Sequence, residues 1–126
     1  MSKELIIKKC LKCGALVKVL EDCTCDNCGI KCCGEEMQKL IPNSVDAAFE
    51  KHVPTYEING DLIEVKVNHV MEEEHYIEWI AIVSEERECI KYFKPGDVCE
   101  VHFRYIPNSK LYAYCNRHGL WKSEIE

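Results

Sequence analysis

Seven of the ten cysteines in this 126-residue chain fall between Cys10 and Cys33. A segment of about 40 residues buries too little apolar surface to offset the entropy of ordering its backbone, so it needs a cross-link. The start, MSKELIIKKC, lacks the apolar stretch of a secretory leader, and the expected compartment is the reducing cytoplasm. Clustered thiols there read as metal ligands or redox groups rather than disulfides. Cys10-x2-Cys13 with the adjacent pair Cys32-Cys33 supplies four thiolates, enough for one tetrahedral site, and soft thiolates in that geometry select iron or zinc. Gly14 and Gly34 follow the two pairs and permit the tight turns that wrap such a site. Cys23, Cys25 and Cys28 exceed this count. Cys10-x2-Cys13 with Cys25-x2-Cys28 has a zinc-ribbon-like spacing, and a mixture of the seven could hold an iron–sulfur cluster. Neither C-x-x-C lies in a βαβ pattern, which argues against a thioredoxin-type redox pair.

The rest of the chain has different chemistry. Residues 1–40 carry a net charge of +1 and residues 41–126 a net charge of −7, and all five histidines lie between His52 and His118. Two domains are expected, a Cys-rich metal module over 1–40 and a second unit over 41–126. The joint falls near Leu40-Ile41-Pro42-Asn43-Ser44, where Pro42 disfavours helix and Asn43 or Ser44 could cap a short one. The only helical candidate is Val45 to Lys51. The second unit otherwise reads as β. Ile63, Val65 and Val67 alternate with polar residues, as do Val101, Phe103 and Tyr105, and Tyr76 to Val83 is a nearly continuous apolar run. Asn59-Gly60 predicts a two-residue hairpin with positive φ at both turn positions. Lys94-Pro95-Gly96-Asp97 and Pro107-Asn108-Ser109 predict further turns. Short strands at this spacing make the chain an all-β protein, its larger part an immunoglobulin-like antiparallel β-sandwich.

The histidines do not all read alike. His102 shares a strand face with Glu100 and Arg104, opposite Val101, Phe103 and Tyr105, and is a solvated side chain. His52 leaves the short helix just before Val53-Pro54. His69 and His75 flank Val70-Met71-Glu72-Glu73-Glu74, and His118 belongs to Cys115-Asn116-Arg117-His118-Gly119. These four sit at strand ends or loops, where a rigid sandwich can present them to one point. A structural zinc site using Cys115 and His118 is the plain alternative from spacing alone.

Three segments taken together carry a family resemblance: Asn43 to Pro54, His69 to Ile80, and Cys115 to Trp121. In order and content they resemble the desulfoferrodoxins, a family of superoxide reductases. Cys10-x2-Cys13 and Cys32-Cys33 are similar to the desulforedoxin-type module of the two-iron members, so the resemblance covers nearly the whole chain. One departure is Val70, where family members usually carry Pro. The extra Cys23, Cys25 and Cys28 are another, and they leave open whether the first centre is an iron in four sulfurs, an iron–sulfur cluster or zinc.

The resemblance implies a mononuclear iron held by His52, His69, His75 and His118, with an axial thiolate from Cys115. Four imidazoles and one thiolate suit ferrous iron and leave a sixth position for a small substrate. The implied activity is one-electron reduction of superoxide to hydrogen peroxide. Lys51 is expected to attract the anion and organise proton-donating water, and Glu50 to occupy the sixth position in the oxidised resting state. The implied partners are a rubredoxin-like electron donor and a second copy of the chain. No run approaches a membrane span, and the acidic balance argues against nucleic acid. Two other classes compete: a zinc-binding β module for protein interaction, and a small electron-transfer protein whose iron no substrate reaches.

Overall fold

In the computed structural model, which describes residues 4–24 and 29–125, the chain divides into two units, Leu5–Ile41 and Pro42–Glu126 with the Met1–Glu4 start. In the first, β1 (Ile6–Lys9) is flanked by antiparallel β2 (Leu16–Val19) and β5 (Gln38–Lys39), and β3 (Lys31–Cys32) forms a hairpin with β4 (Glu35–Glu36). Leu5, Ile7, Cys10 and Met37 are its buried apolar side chains among the described residues. Three aliphatic side chains and a thiol are a meagre core for 37 residues, which leaves the cysteine cluster as the main cross-link. A buried lysine, Lys8, is held by Asp22 at 3.1 Å, as a buried charge requires.

Among the described residues, the second unit holds seven strands in two antiparallel sheets. One is ordered β10-β7-β6, from β6 (Thr55–Asn59), β7 (Leu62–Lys66) and β10 (Glu100–Arg104). The other is ordered β12-β11-β8-β9, from β8 (Ile77–Val83), β9 (Glu88–Tyr92), β11 (Lys110–Cys115) and β12 (Gly119–Glu124). Ile63, Val65 and Phe103 of the first sheet pack with Ile80, Ile82, Leu111 and Ala113 of the second in one core. This is the expected all-β sandwich. The predicted alternation on β7 holds, with Ile63 and Val65 fully buried, and β8 is buried on nearly every residue.

Three local expectations are corrected. The hairpin turn is Gly60-Asp61 rather than Asn59-Gly60, because Asn59 pairs with Leu62 inside the ladder. Gly60 has φ +62°, while Asn59 stays extended as the last residue of β6. The helix is a single 3-10 turn, Phe49–Lys51, without a side-chain cap. Asn43 does not cap it: at φ +60° its amide instead brackets Lys122, donating to the carbonyl at 3.1 Å and accepting from the N–H at 2.8 Å. Those two bonds to a strand backbone outcompete a cap on a segment too short to propagate helix.

Candidate metal centres

Adjacent residues on an extended strand point to opposite faces, so Cys32 and Cys33 could not share a ligand site without a break in the strand. The β3–β4 hairpin supplies it. Cys33 and Gly34 form its two-residue loop with φ +55° and +78°, the doubly positive pair of a type I′ turn. The two sulfurs then lie 3.9 Å apart. On the other side, Cys10 to Gly14 closes a turn in which Gly14 N–H donates to Cys10 O at 2.9 Å and Gly14 has φ +82°. Cys13 Sγ comes within 3.6 Å of Cys32 Sγ, and all four sulfurs lie within 4.8 Å of one another. Sulfurs about 2.3 Å from a common ion at tetrahedral corners are roughly 3.8 Å apart, so the cluster fits one. Without a cation, the pKa values of the Cys10 and Cys32 thiols are driven apart. The backbone N–H groups of Cys13 and Lys12 hold the Cys10 thiol down to about 7, whereas hydrogen bonds to Cys13 and Cys10 push Cys32 up to about 12. A bound cation makes four thiolates compatible.

Cys23 is disulfide-bonded, and Cys25 and Cys28, the other half of the ribbon-like spacing, lie outside the described residues.

The second centre is assembled by three loops at one end of the sandwich. His52 follows the 3-10 turn. His69 and His75 come from the β7–β8 connection: His69 N–H donates to Val67 O at 2.9 Å, and a tight turn pairs His75 with Glu72 in both directions at 3.0 and 3.1 Å. Cys115 and His118 come from the β11–β12 hairpin, whose three-residue loop closes on Gly119 at φ +79°. The Cys115-x2-His118 spacing is thus the signature of one hairpin loop with Gly in the left-handed position.

A β-bulge lies opposite the cysteine. Pairing steps from Tyr114–Trp79 to Cys115–Ile77, skipping Glu78. That extra residue lets Ile77 and Ile80, three apart, both face the core, where Cys115 is fully buried as the last of the alternating series Leu111, Ala113 and Cys115 on β11.

The four imidazoles form a closed square. Ring centroids are 4.7 Å apart for His52–His69, 4.6 Å for His69–His75, 5.0 Å for His75–His118 and 4.9 Å for His118–His52, each pair edge to face. His118 Nδ1 lies 3.1 Å from His52 Nε2 and 3.3 Å from His75 Nε2. Nitrogens about 2.1 Å from one ion on adjacent corners of a square are roughly 3 Å apart. Cys115 Sγ sits 3.4 Å from His69 Nε2 and 3.8 Å from His118 Nδ1. One proton on His118 Nδ1 cannot serve two neighbouring lone pairs, whereas a cation satisfies all of them.

The surroundings keep these donors ready. His52 Nδ1 lies 2.7 Å from Ala48 O, and His69 Nδ1 meets Val70 O. Donation from each Nδ1–H leaves the Nε2 lone pair facing the centre. Burial pushes His69, His75 and His118 below the ordinary imidazole range, so they stay neutral, as ligation requires. Burial pushes the Cys115 thiol up, opposed by the backbone N–H groups of Arg117 and His118. Cys115 and His52 are buried while the other three imidazoles are half-buried. The sulfur therefore lies on the core side of the square, and the opposite side faces solvent.

A family model for desulfoferrodoxin matches residues 44–124. The chain belongs to the desulfoferrodoxin family. It is 42% identical to a desulfoferrodoxin of Syntrophotalea carbinolica, over 98% of this chain and 99% of the relative. A desulfoferrodoxin of Nitratidesulfovibrio vulgaris is 43% identical over the same shares. Among solved structures, the superoxide reductase of Treponema pallidum superposes with a TM-score of 0.73 at 28% identity, covering 96% of this chain and 99% of that one. The family and the two clusters together identify a two-iron protein, one iron for the histidine–cysteine site and one for the four cysteines.

Glu50 and Lys51 stand on the exposed 3-10 turn directly before His52, and among the described residues neither side chain is tied up in an ion pair. His102 lies outside the square, 3.4 Å from Glu64 on the outer face of its sheet. Cys99 is a buried core side chain, its thiol raised to about 12 by burial, and Cys89 is exposed. Sequence reasoning gave no role to Asn116 or Trp121. Trp121 stacks on His52 and Asn116 bonds on both sides of His75, contacts that no spacing rule announces.

Proposed function

We propose that the protein is a superoxide reductase. The observation that carries this reading is the square of four imidazoles with a buried thiolate on its core side and solvent on the other. Membership in the desulfoferrodoxin family supports it. His52, His69, His75, His118 and Cys115 would hold a ferrous iron, which would supply one electron to superoxide, and two protons would complete hydrogen peroxide.

The chain's own residues govern access and protons. The unit bearing the site carries a net charge of −7, which repels an anion. Lys51, exposed beside His52, provides the local positive potential that draws superoxide in and orders proton-donating water. Glu50 on the same turn is the carboxylate that closes the open side in the oxidised resting protein. A diatomic anion needs no deep pocket, in keeping with a site at the surface.

In this reading residues 1–40 form a metal module that relays electrons or clamps the fold, and residues 41–126 form the catalytic domain. Exposed Cys13 and Cys33 suit electron entry from a rubredoxin-like donor. A homodimer and a cytoplasmic location complete the proposal. None of the described helices is long and apolar enough to cross a membrane.

Superoxide added to the reduced, iron-loaded protein tests the reading. Consumption with hydrogen peroxide and no dioxygen is the expected result. Dioxygen release would mean dismutation, and no consumption would leave an electron carrier or a zinc module.

A further inference from the structure

Asn116 lies between two ligands in sequence, one residue after Cys115 and two before His118, yet its bonds reach a third. Its side-chain N–H donates to Glu74 O at 3.0 Å, and its side-chain oxygen accepts from Tyr76 N–H at 3.0 Å. Its own backbone N–H donates to Tyr76 O at 3.2 Å. Glu74 and Tyr76 are the residues immediately before and after His75. One side chain therefore brackets His75 from both sides and binds its turn to the hairpin loop that carries Cys115 and His118.

The bracket matters because the turn's other anchors sit at its start. Met71 packs on the core and accepts from Gly96 N–H at 2.8 Å, and Glu72 ladders with His75, while Glu72, Glu73 and Glu74 are exposed. Arg117 and Glu74 add an exposed ion pair at 3.9 Å, worth little on its own. His75 nevertheless brings Nε2 to 3.3 Å from His118 Nδ1, a placement that a loose turn would not keep. Groups that hydrogen-bond around a ligand and fix its orientation change metal affinity by roughly 10–100-fold.

We propose that Asn116 is a positioning residue for the histidine–cysteine centre: its amide fixes His75 on the square by coupling the β7–β8 turn to the β11–β12 hairpin. The chemistry is specific to an amide. Asp has the same size but two acceptors, so it keeps the bond from Tyr76 N–H and sets a carboxylate oxygen against the Glu74 carbonyl. Gln has both groups but one methylene too many for the span.

The inference rests on the five-donor reading of the site and not on turnover, so its test uses binding. Cobalt(II) is titrated into the metal-free, full-length protein and followed by proton NMR of the paramagnetically shifted imidazole resonances, which the four-cysteine centre cannot produce. Asn116→Asp is expected to weaken cobalt binding at the histidine site by about 10–100-fold and to displace the His75 resonance more than the other three. Asn43→Asp is the control, since Asn43 forms the same kind of two-sided backbone bracket around Lys122, which is not a ligand. It should leave affinity and resonances unchanged, and circular dichroism of both variants reports folding separately. Affinity in Asn116→Asp within about twofold of the parent, or an equal loss in Asn43→Asp, would overturn the proposal. Shifted imidazole resonances absent from the parent protein would overturn the five-donor reading and this inference with it.

Discussion

Trp121 stacks on His52 with ring centroids 4.8 Å apart and planes inclined by 24°, while its indole N–H donates to the carbonyl of His118 at 3.0 Å. One fully buried side chain from β12 thus supports two ligands that come from different loops. Packing fixes the plane of one imidazole, and a hydrogen bond fixes the backbone of the other.

Trp121→Phe retains the stack and loses the hydrogen bond. It should cost about 1 kcal/mol of stability, and Trp121→Ala about 3–5 kcal/mol. Urea denaturation of the iron-loaded proteins measures both, and equal costs for the two would remove the stacking argument.

Among the described residues, Cys115 is the only sulfur donor of the histidine site. Cys115→Ser should lower superoxide turnover by more than about 100-fold, since losing a direct ligand exceeds the cost of losing a group that only orients one. The sulfur-to-iron band in the ferric visible spectrum should vanish as well. Stopped-flow consumption of superoxide and the absorption spectrum check the two parts separately.

The role proposed for Lys51 is charge acting at a distance, so its effect should depend on salt. Lys51→Ala should slow the second-order reaction with superoxide by roughly 10-fold at low ionic strength, less as salt rises. Lys51→Arg should keep most of the rate. A Lys51→Ala rate that matches the parent across the salt series would take Lys51 out of the mechanism.

Glu4 accepts hydrogen bonds from Lys110 and, at 2.7 Å, from the Tyr112 hydroxyl. The Lys110 bond foremost holds its carboxyl below the ordinary value of 4.5. A depressed folded-state value means stability that is present above pH 4.5 and fades as pH falls through the lower one. Glu4 is 56% exposed, so solvent screening limits its contribution to less than about 1 kcal/mol. The stability gap between the metal-free parent and Glu4→Gln should be measurable at pH 7 and narrower at pH 3. Urea titrations at the two pH values test the sign.

The unit Leu5–Ile41 has so small a core that its metal should be its main support. Chelation should make it a protease substrate while Pro42–Glu126, with its two-sheet core, resists. Limited proteolysis with mass analysis, with and without chelator, reads this directly. Equal resistance of both units after metal removal would show that the four cysteines are not the cross-link.

Residue types and local periods were legible in the chain itself. The cysteine cluster, the alternation of Ile63 and Val65, the apolar run of β8 and the loop settings of His52, His69, His75 and His118 all depend on neighbours within a few positions. Side-chain identity and the two-residue period of a strand are local properties. Convergence is not local. The approach of Cys13 to Cys32, the diversion of Asn43 to Lys122 and the reach of Asn116 across to Glu74 and Tyr76 each depend on segments distant in the chain. Only the stacking and register of the sheets bring those segments together, because a loop end acquires a direction once the strands beneath it are packed.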